Sequence, residues 1–151
     1  MLKHIPPILT PELLKVLMEM GHGDEIVIAD GNFPGAAIAQ RLIRLDGHGV
    51  PEILDAVMRF LPLDSYTEKP VGLMAVVPGD PVKPTIWEDY RCILDKHEPK
   101  RPEIEYMERF AFYERPQLAS VKRSSRRERP EHPLFERSEF GGDSECRMRS
   151  S

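Results

Sequence analysis

Met20-Gly21-His22-Gly23-Asp24-Glu25-Ile26-Val27-Ile28-Ala29-Asp30 decides how the chain is read. A turn broken by two glycines hands over to a continuous apolar run, and the run ends on a carboxylate, which predicts a short strand near 25–30. The segment before it predicts a helix over 11–20. Thr10 stands at its N-cap, Pro11 at its first helical position, Leu13, Leu14, Leu17 and Met18 fall on roughly one face, and Gly21 supplies the stop. The same stretch sets a histidine and carboxylates at the two ends of the strand, the layout of an acid/base site. His22 falls just past a helix C-terminus, where carbonyl groups favour imidazolium, and a free histidine has a pKa of about 6.5. A solvated turn residue between glycines fits the same pattern.

After this strand, a loop with Gly31, Pro34 and Gly35 leads to a short strand near 41–45. Pro51 opens a helix whose Ile53, Leu54, Val57, Met58 and Leu61 recur at helical spacing. Val71 to Val77 is the best strand in the chain, ended by Pro78-Gly79-Asp80. Pro84 or Thr85 starts another helix with Ile86, Trp87, Tyr90, Ile93 and Leu94 on its buried side. A weak strand near 103–107 runs into Arg109-Phe110-Ala111-Phe112-Tyr113-Glu114-Arg115. Strands alternating with helices imply a mixed or parallel β-sheet with flanking helices, so the fold class is α/β.

Composition changes after Arg115. From Gln117 to Ser151 there is no isoleucine and a crowd of arginine, serine and glutamate, which cannot bury enough apolar area to offset its ordering entropy. The expected organisation is therefore a domain over 1–116 and a disordered tail over 117–151. Interleaved glutamates cancel most of the tail's positive charge, and a net charge of −4 argues against nucleic-acid binding. No apolar run is long enough for a membrane span, and the proline pair Pro6-Pro7 interrupts what a signal peptide would need. Cys92 and Cys146 make neither a disulfide framework nor a zinc set. A protein of the reducing cytoplasm is expected.

Taken in order, Pro11–Leu17, Glu19–Glu25, Ala29-Asp30 with Asn32-Phe33-Pro34, Leu63-Asp64-Ser65-Tyr66 and Arg109–Arg115 resemble the L-fucose mutarotase and ribose pyranase family, RbsD/FucU, over about residues 1–118. The Arg109–Arg115 block is more similar to the fucose branch. The resemblance implies a cofactor-free sugar isomerase acting on a monosaccharide, in ring-shaped homo-oligomers that are commonly decamers, with active sites near subunit contacts. It makes His22 the catalytic acid/base and Asp30 and Arg109 the substrate-binding residues, with no metal. Phe112 or Tyr113 could line the apolar face of a 6-deoxy sugar, or be core. Asp24 and Glu25 could orient His22, or be loop charges. Asp30 could cap its turn, and Arg109 could pair with Glu108 or Glu114. His4 and His48 read as solvated, and a metal set of His22, Asp24 and His48 lacks recognisable spacing.

The family normally continues into two further strands and a Tyr-Gly-Asn that contacts the sugar. Here an arginine- and serine-rich segment stands instead, as a reading-frame change would produce, and half of the site and part of the sheet are expected to be missing. Three other readings stay open: a non-catalytic sugar-binding or uptake accessory protein, a damaged gene product without function, and a regulatory protein using the basic tail.

Overall fold

The computed structural model describes residues 2–81, 84–115 and 119–122. Helix α1 (Pro11–Glu19) begins as its sequence requires, with the Thr10 hydroxyl accepting the Leu13 N–H at 3.2 Å. Leu13 and Val16 are buried, Leu14 and Leu17 pack half-buried on the same core, and Met18 is exposed. Met18 therefore lies outside the expected apolar face, since its neighbour at helical spacing, Leu14, already stands at that face's margin.

The strands β1 (Ile26–Ala29) and β2 (Leu42–Arg44) flank the one-turn helix α2 (Gly35–Ile38). Helix α3 (Val50–Met58) opens on Pro51 at its start and buries Ile53, Ala56, Val57 and Met58. Strand β3 (Val71–Met74), helix α4 (Ile86–His97) and strand β4 (Ile104–Met107) form a parallel β-α-β unit in which Val71 pairs Ile104 and Met74 pairs Met107. Strand β3 is shorter than the expected run to Val77. Its partner ends at Met107, whose carbonyl accepts the Ala75 N–H at 2.7 Å, and beyond that no ladder remains for Val76 and Val77. Helix α5 (Arg109–Glu114) follows at once, capped by Glu108, whose carboxylate accepts the N–H groups of Phe110 and Ala111 at 2.8 and 3.3 Å.

The last described element is β5 (Ala119–Lys122), beyond the expected boundary at residue 116. It is a strand within the segment read as disordered, and it lies parallel between β1 and β2 at the centre of their sheet. Val121 aligns with Ile28 on one side and Ile43 on the other, and it is fully buried. Four residues are too short to show periodicity. This strand is set by the two ladders that receive it rather than by its own composition. The remainder of the expected tail, 123–151, lies outside the described residues.

Among the described residues all strand pairs are parallel, in two sheets, and the fold is α/β as expected. Leu13 and Val16 of α1, Ile43 of β2, Ile53 and Val57 of α3 and Val121 of β5 form the core under the larger sheet. Helix α4 packs on α3 with Leu94 buried, while Trp87 stays half-exposed against Tyr106, ring centroids 5.1 Å apart.

Asp55 of α3 ties these two helices together. Its carboxylate accepts from Lys96 Nζ at 2.7 Å and Arg59 Nη2 at 2.9 Å, and His97 Nε2 stands 2.9 Å away. Burial alone would raise the Asp55 pKa, but hydrogen bonds from Lys96, His97 and Arg59 outweigh it and hold the carboxyl far below the usual carboxylate range. As the pH falls below about 4 the unfolded chain takes up this proton while the folded chain does not, so the stabilisation is complete above that range and is lost below it. Asp55→Asn is expected to cost about 1–2 kcal/mol at neutral pH. In chemical denaturation followed across pH, the gap between wild type and Asp55→Asn should close on the acid side.

Candidate active site

His22 sits on a turn built to present it. Asp24 folds back on Gly21, its carboxylate accepting the Gly21 N–H at 2.8 Å and its own N–H reaching the Gly21 carbonyl at 3.2 Å. Gly23 closes the turn at φ +85°, a left-handed conformation that a side chain disfavours. The His22 side chain is consequently 84% exposed. The carboxylate beside it is neither of the two expected from adjacent sequence. Asp24 is engaged by Gly21, Glu25 is engaged by Arg115, and it is Asp64 Oδ1 that stands 3.9 Å from His22 Nδ1. Asp64 is itself fixed by the Tyr66 N–H at 2.9 Å, and the Tyr66 ring meets the imidazole edge-on at 5.7 Å. The sequence quotes Asp64 within Leu63-Asp64-Ser65-Tyr66, but forty-odd residues separate it from His22 and nothing local in the chain joins them.

Asp30 stands at the other end of β1. One oxygen, Oδ1, accepts the N–H groups of Asn32 and Phe33 at 2.9 and 3.2 Å, so the expected turn-capping role is present. Its second oxygen makes no hydrogen bond among the described residues. The charge of Asp30 also reaches Tyr90, whose hydroxyl is pushed up to about 12 chiefly by burial and further by Asp30 and Asp89. The turn ends in Phe33, a buried ring that meets Phe112 and Tyr113 of α5 edge-on at 6.1 and 5.6 Å. Through these rings the Asp30 turn is packed against the helix that begins with Arg109. Arg109 is exposed and makes no ion pair among the described residues; Glu108, an expected partner, is spent on the helix cap.

Between β1, α3, α4 and β3 lies a cavity of about 250 Å³. Ile26, Ile28, Leu54, Leu73 and Phe112 give it apolar walls, and Asp24, Asp64, Tyr90 and Arg115 add polar groups. Gly23 and Asp24, adjoining His22, and Asp64, its charged neighbour, all line this space, which puts His22 at its rim. Asp30 and Arg109 lie outside the lining. The three predicted residues thus do not converge on one point: His22 stands with Asp64 and Tyr66 before β1, Asp30 stands after it, and Arg109 opens the helix whose later rings pack on the Asp30 turn. Four strand residues at about 3.3 Å each set the two ends of β1 roughly 13 Å apart.

Among the described residues no three His, Cys, Asp or Glu side chains converge as a metal site. His48 pairs with Glu52 at 3.0 Å rather than joining His22 and Asp24. No helix among the described residues is long and apolar enough to cross a membrane.

The RbsD / FucU transport protein family matches residues 3–123. An L-fucose mutarotase of Actinobacillus pleuropneumoniae serotype 5b (strain L20) is 45% identical over 119 residues, 79% of this chain and 83% of that protein. The fucose mutarotase of Mus musculus is 48% identical over 124 residues, covering 78% of this chain and 80% of its own. Among solved structures, the Streptococcus pneumoniae fucose mutarotase in complex with L-fucose superimposes with a TM-score of 0.77 at 47% identity, over 83% of this chain and 90% of that one.

Proposed function

This chain belongs to the RbsD/FucU family, and from that premise we propose that it is a carbohydrate isomerase interconverting the α and β anomers of L-fucose, with His22 as acid/base and Asp30 and Arg109 holding the sugar. The observation that carries this reading is His22 itself. Its imidazole stands free at the rim of a small apolar-walled cavity with one carboxylate beside it.

Anomer exchange needs no redox step. A base removes the proton of the anomeric hydroxyl as an acid protonates the ring oxygen, the ring C–O bond breaks, the C1–C2 bond rotates, and closure returns both protons with C1 inverted. An imidazole can serve in either direction, and the Asp64 carboxylate stands 3.9 Å from Nδ1. The uncommitted oxygen of Asp30 accepts hydrogen bonds from sugar hydroxyls, and the Arg109 guanidinium donates several in a fixed fork.

The division of these groups across the length of β1 is longer than one monosaccharide. The site is therefore completed between chains of a ring-shaped homo-oligomer, His22 and Asp64 from one copy meeting Asp30 and Arg109 from the next, in the cytoplasm. Co-expressed His22→Ala and Asp30→Ala chains are expected to form mixed rings that recover part of the exchange rate each variant lacks, read by saturation-transfer NMR of L-fucose anomers. Absence of any recovery in mixed rings of demonstrated composition would falsify the shared site. A binding protein without catalysis is the reading that the word transport in the family's description favours. Wild-type protein that binds L-fucose by calorimetry yet leaves the anomer exchange at the buffer rate would establish it.

A further inference from the structure

Arg115, the residue that follows α5, places its guanidinium in the cavity wall and reaches both sheets at once. Its Nε donates to Glu25 Oε1 at 2.6 Å, and its Nη1 donates to Glu105 Oε2 at 2.9 Å and lies 3.3 Å from Met107 Sδ. Glu25 adjoins the turn that carries His22, and Glu105 belongs to β4. Among the described residues no ladder joins the two sheets, so this guanidinium bridges a gap that backbone hydrogen bonds there do not. Glu105 pairs with Gly72 of β3, where a Cβ would come 3.7 Å from Arg115 Nη1 and collide with the Met107 methyl. Burial opposes the charge of Arg115, but Glu25 and Glu105 more than offset it and the group stays cationic.

The C-terminal half of the helix before Arg115 has two anchors. Its aromatic residues Phe112 and Tyr113 hold Phe33 and hence the Asp30 turn, while Arg115 holds Glu25 and hence the His22 turn. We propose that Arg115 is a positioning residue for the sugar reaction, gripping Glu25 and Glu105 together so that the His22 turn serving one site and the α5 helix carrying Arg109 toward the neighbouring site keep their places. This rests on His22 and Arg109 belonging to the sugar site. A lysine cannot substitute, because one ammonium lacks the planar fork that serves two carboxylates lying in different directions. Nor is charge balance the purpose: geometry is, and misplacing a catalytic group by about 1 Å can cost on the order of a hundredfold in rate.

Three variants separate positioning from stability. Arg115→Lys is expected to stay folded and lose roughly ten- to a hundredfold in kcat for L-fucose anomer exchange. Arg115→Gln leaves Glu25 and Glu105 facing each other and is expected to lose both melting temperature and rate. The triple variant Glu25→Gln, Glu105→Gln, Arg115→Gln removes that repulsion, so its melting temperature should return while its kcat stays low. Recovery of kcat along with the melting temperature, or wild-type kcat in Arg115→Lys, overturns the proposal. If wild type itself gives no exchange, the sugar reading of His22 fails on its own terms. The His22 ring resonances of Arg115→Lys then still decide the matter of position: a displacement from wild type supports the clamp, and coincidence overturns it.

Discussion

His22→Ala is expected to lower the rate of L-fucose anomer exchange by roughly 10²–10⁴, the usual contribution of a positioned proton-transfer group. Folding should not suffer. The side chain is 84% exposed, makes no hydrogen bond among the described residues, and lies on a turn whose shape is fixed by Asp24 and Gly23 instead. Exposed substitutions away from caps and special backbone positions usually stay within about 0.5 kcal/mol. Unchanged melting with lost exchange would thus assign the effect to chemistry. Saturation transfer between the two anomeric protons, measured with wild type, His22→Ala and buffer alone, is the direct assay. A His22→Ala protein as fast as wild type would remove the imidazole from the mechanism and leave the activity to be explained by Asp64 or by another pair of groups around the cavity.

Much of this architecture is legible in the chain because it depends on local signals. Thr10 with Pro11, and Pro51 ahead of Ile53 and Val57, state where helices begin, and both begin there. The run Ile26–Ala29 states a strand through composition alone. What escapes is whatever depends on a distant partner. The pairing of His22 with Asp64 is made by the chain's return after α3, so adjacency in sequence pointed to Asp24 and Glu25 instead. Both of those carboxylates prove to be structural, one closing the turn and one gripping Arg115. The same holds for Tyr90, which reads as part of a helix's buried face and in fact lines the cavity, within reach of the Asp30 charge. Helix α2 escapes for another reason: one turn starting on glycine without a side-chain cap carries no periodic signal.

Strand β5 is the sharpest case, and it yields the second large effect. Neither β1 nor β2 pairs with any other strand among the described residues, so β5 alone makes a sheet of them. A chain ended at residue 118 is expected to fail to fold. Two strands would be left with unpaired N–H and C=O groups along their inner edges, and Ile28 and Ile43 would lose the Val121 side chain packed between them. A chain ended at residue 123, where the family match also stops, is expected to keep the fold, a result that would place the domain boundary after β5 rather than at 116. Val121→Asp tests the same point without truncation. Val121 is fully buried in an apolar core with Leu13, Ile43 and Ile53, and a carboxylate there has no cation to meet. Burying it unpaired costs several kcal/mol, a large share of the roughly 5–15 kcal/mol by which a domain is stable. Circular dichroism melts of the two truncations and of Val121→Asp would show it: a cooperative transition for the chain ended at 123 and none for the other two. A cooperative melt from the chain ended at 118 would mean that β1 and β2 are held by the helices beneath them, and that the central strand of the sheet is dispensable.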